Sequence, residues 1–292
     1  MLKDLPAAKI DMVLDSDTYN EVDDQFALCY ALLSPQRLNV QATYAAPFLN
    51  ARSSDAGDGM QKSYDEIVRL LNKMGRASDM VFKGATSFLP DEKTPVDSPA
   101  VRDLISRAMA RPIGDPLYVV CIGAITNLAS ALLIEPRIAG HIAVVWLGGQ
   151  PLSYPTALEF NLMQDIPAVR VVLNAGLDFT LIPCTGVASH LLTTPYELRA
   201  HLSGKNAMCD ALIELFCAYS DDHFAWAKEI WDVSAIAYLI NPAWIPTAFE
   251  PSPILSLEGN WSRDARRPLI RVATYVDRNA AFKDMFAKLA KG

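Results

Sequence analysis

Residues 13–28, VLDSDTYNEVDDQFAL, crowd Asp15, Asp17, Asp23 and Asp24 around one strand-to-helix turn, with Glu21 among them. Carboxylates at that density repel one another unless a cation compensates them. An all-oxygen donor set suits a hard ion, Ca²⁺ or Mg²⁺, better than zinc. Helix capping is the competing account. Asp23 and Asp24 stand where acids satisfy free backbone N–H groups and complement the helix dipole. Capping leaves Asp15 and Asp17 unexplained, because they close the apolar run IDMVL at 10–14. The chemistry this suggests is metal-assisted: a cation lowers the pKa of water and a neighbouring aspartate completes its deprotonation.

The elements that must position this cluster alternate along the chain. IDMVL at 10–14, LNVQATYAA at 38–46, MVF at 80–82, LYVVCI at 117–122, HIAVVWLGG at 141–149 and LDFTLIP at 177–183 read as strands. Helical spacing marks 22–33, stopped by Ser34-Pro35, and 58–74, ended by Gly75. Residues 100–110 and a stretch from Asn127 are helical as well. Such alternation implies right-handed βαβ units, hence an α/β fold with a mostly parallel central sheet flanked by helices. Ligands collect at the carboxyl ends of the strands in sheets of this kind. Asp15/Asp17, Gly123/Thr126/Asn127, Gly148/Gly149 and Pro183/Cys184/Thr185 each follow an apolar strand and should converge on one face. Past about residue 195 the pattern turns mainly helical, with two strands near 248–257 and 268–275. Residues 1–292 read as one domain with a helical C-terminal elaboration, since no repeat or linker interrupts them.

Hydrophobic residues make up 51% of the chain and charged residues 20%, which suits a soluble globular protein with a sizeable core. The net charge of −7 argues against nucleic acid or an anionic membrane as partner, since both reward clustered Lys and Arg. The five cysteines show no zinc-like spacing, and most sit in apolar runs; reduced buried thiols in a cytoplasmic protein are expected. The N-terminus lacks a signal-peptide pattern, and no apolar run is long enough to span a bilayer. Phosphate-loop, dinucleotide and nucleophile-elbow motifs are absent.

The motifs together resemble those of inosine-uridine-type nucleoside hydrolases, which open with a strand, D-x-D-P-G-x-D-D and a helix. Asp15-Ser16-Asp17 and Asp23-Asp24 match that opening with a longer loop, Thr18-Tyr19 standing where the family has Pro-Gly. Gly123-Ala124-Ile125-Thr126-Asn127 is similar to the family's G-P-L-T-N, and Leu147-Gly148-Gly149 to its M-G-G. Glu159-Phe160-Asn161, with Asp165 following, is similar to its E-F-N…D, and Trp231-Asp232 falls where it has His-Asp. The resemblance runs over most of the chain and implies Ca²⁺-dependent hydrolysis of the N-glycosidic bond of a ribonucleoside or related ribosyl compound, giving free base and ribose. It implies side-chain ligation of the cation by Asp17, Asp24 and Asp232, and ligation by the backbone carbonyl of Thr126. Asp17 would also serve as base toward the attacking water. Asp23, Glu159 and Asn161 would bind ribose hydroxyls, and Asp15 would support the cation's ligands. A dimeric or tetrameric homo-oligomer is implied too. Cleavage builds positive charge on the sugar, which surrounding carboxylates stabilise. Read singly, Thr126-Asn127 could cap a helix, Gly148-Gly149 could be a tight turn, and Asp232 could be a helix-start acid.

The sequence departs from the family on the base side. Ala45-Ala46-Pro47-Phe48 replaces a Val-Ala-Gly-Asn turn, with Asn50 and Arg52 close enough to substitute for the lost Asn. QPLSYPTAL shortens a Gly-Asn loop before Glu159. Trp231 replaces a His that assists the leaving group; its indole is a poor proton donor but can stack on a base. His223, Trp226 and Lys228 could form a substitute wall. Two other functions compete. One is a non-catalytic ribosyl-binding protein of the same fold. The other is a Mg²⁺-dependent haloacid-dehalogenase-type phosphohydrolase, which VLDSDT resembles but for which the late strands supply no acidic pair.

Overall fold

Strands whose residues are buried on both faces belong to a sheet covered by helices on both sides. The computed structural model, which describes residues 4–292, has this arrangement. The chain runs β1 (Ile10–Ser16), α1 (Asp24–Leu32), β2 (Leu38–Ala45), α2 (Ala56–Lys73), β3 (Val81–Lys83) and α3 (Pro99–Met109). It continues with β4 (Leu117–Cys121), α4 (Thr126–Ile134), β5 (Ile142–Leu147), α5 (Phe160–Gln164), α6 (Ile166–Asn174) and β6 (Asp178–Ile182). Next come β7 (Leu192–Thr193), α7 (Pro195–Leu202), α8 (Ala207–Cys217), β8 (Lys228–Glu229), α9 (Val233–Ile240), β9 (Thr247–Pro251), β10 (Ile254–Leu255), β11 (Trp261–Ser262), β12 (Leu269–Ala273) and α10 (Arg278–Leu289).

The main sheet has the order β3-β2-β1-β4-β5-β6-β12-β9. Its pairs are parallel except β12–β9 at one edge. Alternation along β1 divides the core: Met12 and Leu14 join the layer under α1, α2 and α8 to α10, while Val13 joins the layer under α3, α4 and α6. Every residue of α1 is buried, so the helix that carries Asp24 is enclosed on all sides. The C-terminal part carries strands in both regions expected to hold them, near 248–257 and 268–275. Its strands β9 and β12 extend the main sheet, and the apolar run near 248–257 breaks after Pro251 into two strands in different sheets.

Strand order reverses at β1, which lies between β2 and β4. A reversal opens a crevice at the carboxyl ends of the two central strands, because their following connections leave to opposite sides. The ends of β1 and β4 carry Asp15-Ser16-Asp17 and Ile122-Gly123.

Candidate active site

A cavity of about 280 Å³ opens over this crevice. The loop after β1 supplies Asn20, Glu21, Asp23 and Asp24, and the ends of β4, β5 and β6 supply Ile122, Leu147, Gln150, Cys184 and Thr185. Glu159, Phe160 and Asn161 at the start of α5, with Trp231 and Asp232 before α9, complete the wall. Polar segments expected to converge from separate strand ends do meet here.

The aspartates at the starts of α1 and α9 are not used as helix caps. Asp23 and Asp232 occupy the N-cap positions of α1 and α9, yet neither side chain caps its helix. Instead Asp23, Asp24 and Asp232 offer oxygens within 4.8 Å of one another. Ser16 Oγ donates to Asp24 Oδ1 at 2.7 Å, which sets the orientation of that carboxyl. Burial pushes Asp24 up to about 7, against the pull of the Ser16 bond. Asp23 and Asp232 are raised well above the usual range by burial and then by neighbouring negative charge.

Asp17 is 1% exposed and lies beneath the cavity wall rather than on it. No donor reaches either of its carboxylate oxygens. Burial, followed by the charges of Asp24 and Asp23, raises it well above its ordinary value. The negative charge of Asp24 beside it opposes its ionisation, which a proton or a cation placed there relieves. Gly123 permits this packing, since a Cβ there would come 2.8 Å from Asp17 Oδ1. Asp15 sits deeper. Burial lifts it to about 7, opposed by the bond from Asn127 Nδ2 at 2.8 Å.

Glu159 caps α5 and accepts from the N–H groups of Gly149 at 2.7 Å, Asn161 at 3.0 Å and Leu162 at 3.3 Å. Burial raises its pKa and these backbone bonds oppose the rise. Gly149 therefore does more than turn the chain: its N–H holds a carboxylate on the wall. Asn161 Nδ2 donates to the carbonyls of Ile122 at 3.3 Å and Leu147 at 3.1 Å, which leaves Oδ1 as its acceptor end. Among the residues expected in the site, Asp23, Asp24, Glu159, Asn161, Trp231 and Asp232 line the cavity.

Thr126 does not reach it. Its hydroxyl donates to Asp165 at 2.7 Å, and it begins α4 behind the wall. The residue at the end of β4 that borders the cavity is Ile122, whose carbonyl accepts from Asn161 Nδ2. The substitute wall of His223, Trp226 and Lys228 does not form either. His223 Nε2 bonds the carbonyl of Cys217 at 2.9 Å and the ring stacks on Trp226. Lys228 pairs with Glu21 at 2.5 Å and lies over the Tyr219 ring. Burial works against its charge, but Asp23 and Glu21 outweigh it and raise the pKa. Arg52 lies over Tyr19. Asn20 and Gln150 are wall residues for which the sequence carries little functional signal.

The residues present fit a divalent cation. A buried carboxylate without a donor, next to three more whose oxygens cluster within 4.8 Å, is a costly arrangement that a hard cation relieves. Asp23, Asp24 and Asp232 could hold it through side chains, with the buried Asp17 carboxylate beside them.

The chain matches the family model described as inosine-uridine preferring nucleoside hydrolase over residues 12–283. It is 26% identical over 256 residues to the non-specific ribonucleoside hydrolase RihC of Salmonella schwarzengrund, covering 81% of this chain and 80% of that protein. With the inosine-uridine preferring nucleoside hydrolase of Leishmania major it shares 27% identity over 180 residues, 59% of this chain and 56% of that one. Among solved structures, the purine-preferring ribonucleoside hydrolase from Gardnerella vaginalis superposes with a TM-score of 0.73 at 21% identity, covering 96% of this chain and 99% of that one. A plant nucleoside hydrolase gives 0.75 at 20% identity, covering 98% and 100%. These superpositions show the same α/β fold. The chain belongs to the inosine-uridine preferring nucleoside hydrolase family, a family of metal-dependent enzymes.

Proposed function

We propose that this protein hydrolyses the N-glycosidic bond of a ribonucleoside or closely related ribosyl compound, releasing base and ribose. The observation that carries the reading is the Asp17 carboxylate, buried without a donor against the Asp23/Asp24/Asp232 cluster at the strand-order reversal. We further propose Ca²⁺ as the cation, held by Asp17, Asp24 and Asp232, with the Ile122 carbonyl rather than that of Thr126 as a backbone ligand. A cation bound there supplies positive charge that lowers the pKa of a water.

The chain's own groups do the rest. Asp17, raised in pKa by burial, is suited to accept the proton of the attacking water. Asp23, Glu159 and the Oδ1 of Asn161 accept bonds from sugar hydroxyls, and the negative charge of the two carboxylates favours the positive sugar of the transition state. Phe160 and Trp231 give the cavity apolar faces on which a base can stack. Ser16 holds Asp24, and Asn127 holds Asp15 behind the ligands. The reading takes residues 1–292 as one working domain. It also takes the setting to be cytoplasmic, which the five free thiols support. No helix among the described residues is long and apolar enough to cross a membrane.

The test is incubation of the purified protein with purine and pyrimidine ribonucleosides, with Ca²⁺ or with EDTA, followed by assay of free base and reducing sugar. Cation-dependent ribose release is expected for at least one nucleoside. Nucleoside binding without any release would overturn the enzymatic reading in favour of a ribosyl-binding protein.

A further inference from the structure

A carboxamide has a donor end and an acceptor end, and only its bonding partners distinguish them. In the loop beside the cavity one backbone group sets the direction of two carboxamides in series. The N–H of Arg52 donates to Asn50 Oδ1 at 2.8 Å, which makes that atom the acceptor. Asn50 Nδ2 must then be the atom that donates to Asn20 Oδ1, at 2.6 Å. The Nδ2 of Asn20 is left as the free end, bonded to no protein group among the described residues. Asn20 is only 7% exposed and lines the cavity. A backbone bond from its own N–H to the Asp17 carbonyl, 2.7 Å, anchors it.

The other two carboxamides on the wall are committed elsewhere. Asn161 gives its Nδ2 to the Ile122 and Leu147 carbonyls and so offers only an acceptor. Gln150 is tied at both ends, through Nε2 to Leu158 O and through Oε1 to Thr185 N–H. Glu21, Asp23, Asp24, Glu159 and Asp232 add only acceptors while they are ionised. Such a wall suits sugar hydroxyls, which donate. Toward the parts of a nucleoside that can only accept, which are the ring oxygen, base carbonyls and unprotonated ring nitrogens, the wall's side-chain donors are Asn20 Nδ2, the Thr185 hydroxyl and the Trp231 indole N–H.

We infer that Asn20 is a specificity residue, donating through Nδ2 to an acceptor-only atom of the substrate, and that Asn50 is the positioning residue that keeps this donor turned inward. The inference rests on the nucleoside-hydrolase reading and deepens it. The test is kcat and KM for wild type, N20A, N20D, N50A and N50D on purine and pyrimidine ribonucleosides, with thermal unfolding of each. N20D presents an acceptor in place of the donor. In N50D the new carboxylate can only accept, so Asn20 turns its Nδ2 outward and its Oδ1 into the cavity. Both changes should raise KM roughly tenfold, about the worth of one hydrogen bond, with a smaller effect on kcat. N20A should lie between these and wild type. N50A leaves Asn20 free to rotate and should raise KM only a few-fold, on the order of a partial bond. A larger KM in N50D than in N50A, with similar melting temperatures, is a signature that a merely structural role would not give. Equal KM values for N50A and N50D, or an N20D enzyme with wild-type KM, would overturn the inference while leaving the hydrolase reading intact. Absence of wild-type turnover on every nucleoside would overturn the hydrolase reading, and the inference with it.

Discussion

Asp17→Asn should stabilise the cation-free protein and, at the same time, abolish most of its activity. The buried Asp17 carboxylate has no donor and faces the charges of Asp24 and Asp23. Its pKa is raised well above the ordinary 3.8 by burial and then by the charges of Asp24 and Asp23, so the folded, cation-free chain holds a proton there more tightly than the unfolded chain does. Protonating a carboxylate at pH 7 against an ordinary value near 4 costs at most about 4 kcal/mol, at about 1.4 kcal/mol per pH unit. An asparagine carries no such cost, and its N–H groups can donate to Asp24. The expected gain is at most about 4 kcal/mol, or up to roughly 6 °C in melting temperature for a chain of this size. The sign with pH follows from linkage. A raised acid makes the folded state bind the extra proton, so wild-type stability falls as pH rises from the unfolded value toward the folded one. The difference between variant and wild type should therefore vanish near pH 4 and be largest at neutral pH and above. Calorimetric melts in EDTA between pH 4 and 8 measure it. With Ca²⁺ present, loss of the base should lower kcat by roughly 10²–10⁴-fold. An Asp17→Asn protein that melts below wild type in EDTA at pH 7 would mean that something holds the carboxylate in the native state, and the argument for a cation at this point would fail.

Two further substitutions separate the cation side of the site from the base side. Gly123→Ala places a methyl 2.8 Å from Asp17 Oδ1 and must displace that carboxylate; kcat should fall roughly 100-fold, as misplacement by about an ångström does, with folding retained in circular dichroism. Trp231→Ala removes an indole from the wall. It should raise KM roughly tenfold with a smaller change in kcat, because stacking is present in ground and transition states alike; a collapse of kcat at constant KM would show that the indole acts in the chemical step.

The parts of this site that are legible in the sequence are those where residue type and neighbouring periodicity both speak. Asp15 and Asp17 close an apolar strand, and Asp23 and Asp24 open a helix, so chemistry and position can be read together. The parallel core is legible for the same reason: β1, β2 and β4 to β6 are apolar runs between helical patterns. Legibility ends where a role depends on direction rather than type. Thr126 has the right letters in the right motif, but the residue of this segment that lines the cavity is Ile122, at the end of β4. A backbone carbonyl such as that of Ile122 is present in every residue and leaves no signal of its own. His223 has useful chemistry, yet its ring bonds a helix-end carbonyl six residues away. Conversely, Asn20 looks like an ordinary loop residue and Asn50 is one of two candidates for a lost contact, and the bond that makes them a pair joins positions 30 apart. The lost base-side contacts make the same point. The chain departs from its family in loops, where burial does not constrain residue type, so a contact can move to a different residue without disturbing the sheet that positions the carboxylates. Substrate preference in this protein should therefore follow the orientation of a few loop carboxamides, while the metal chemistry follows the strand ends.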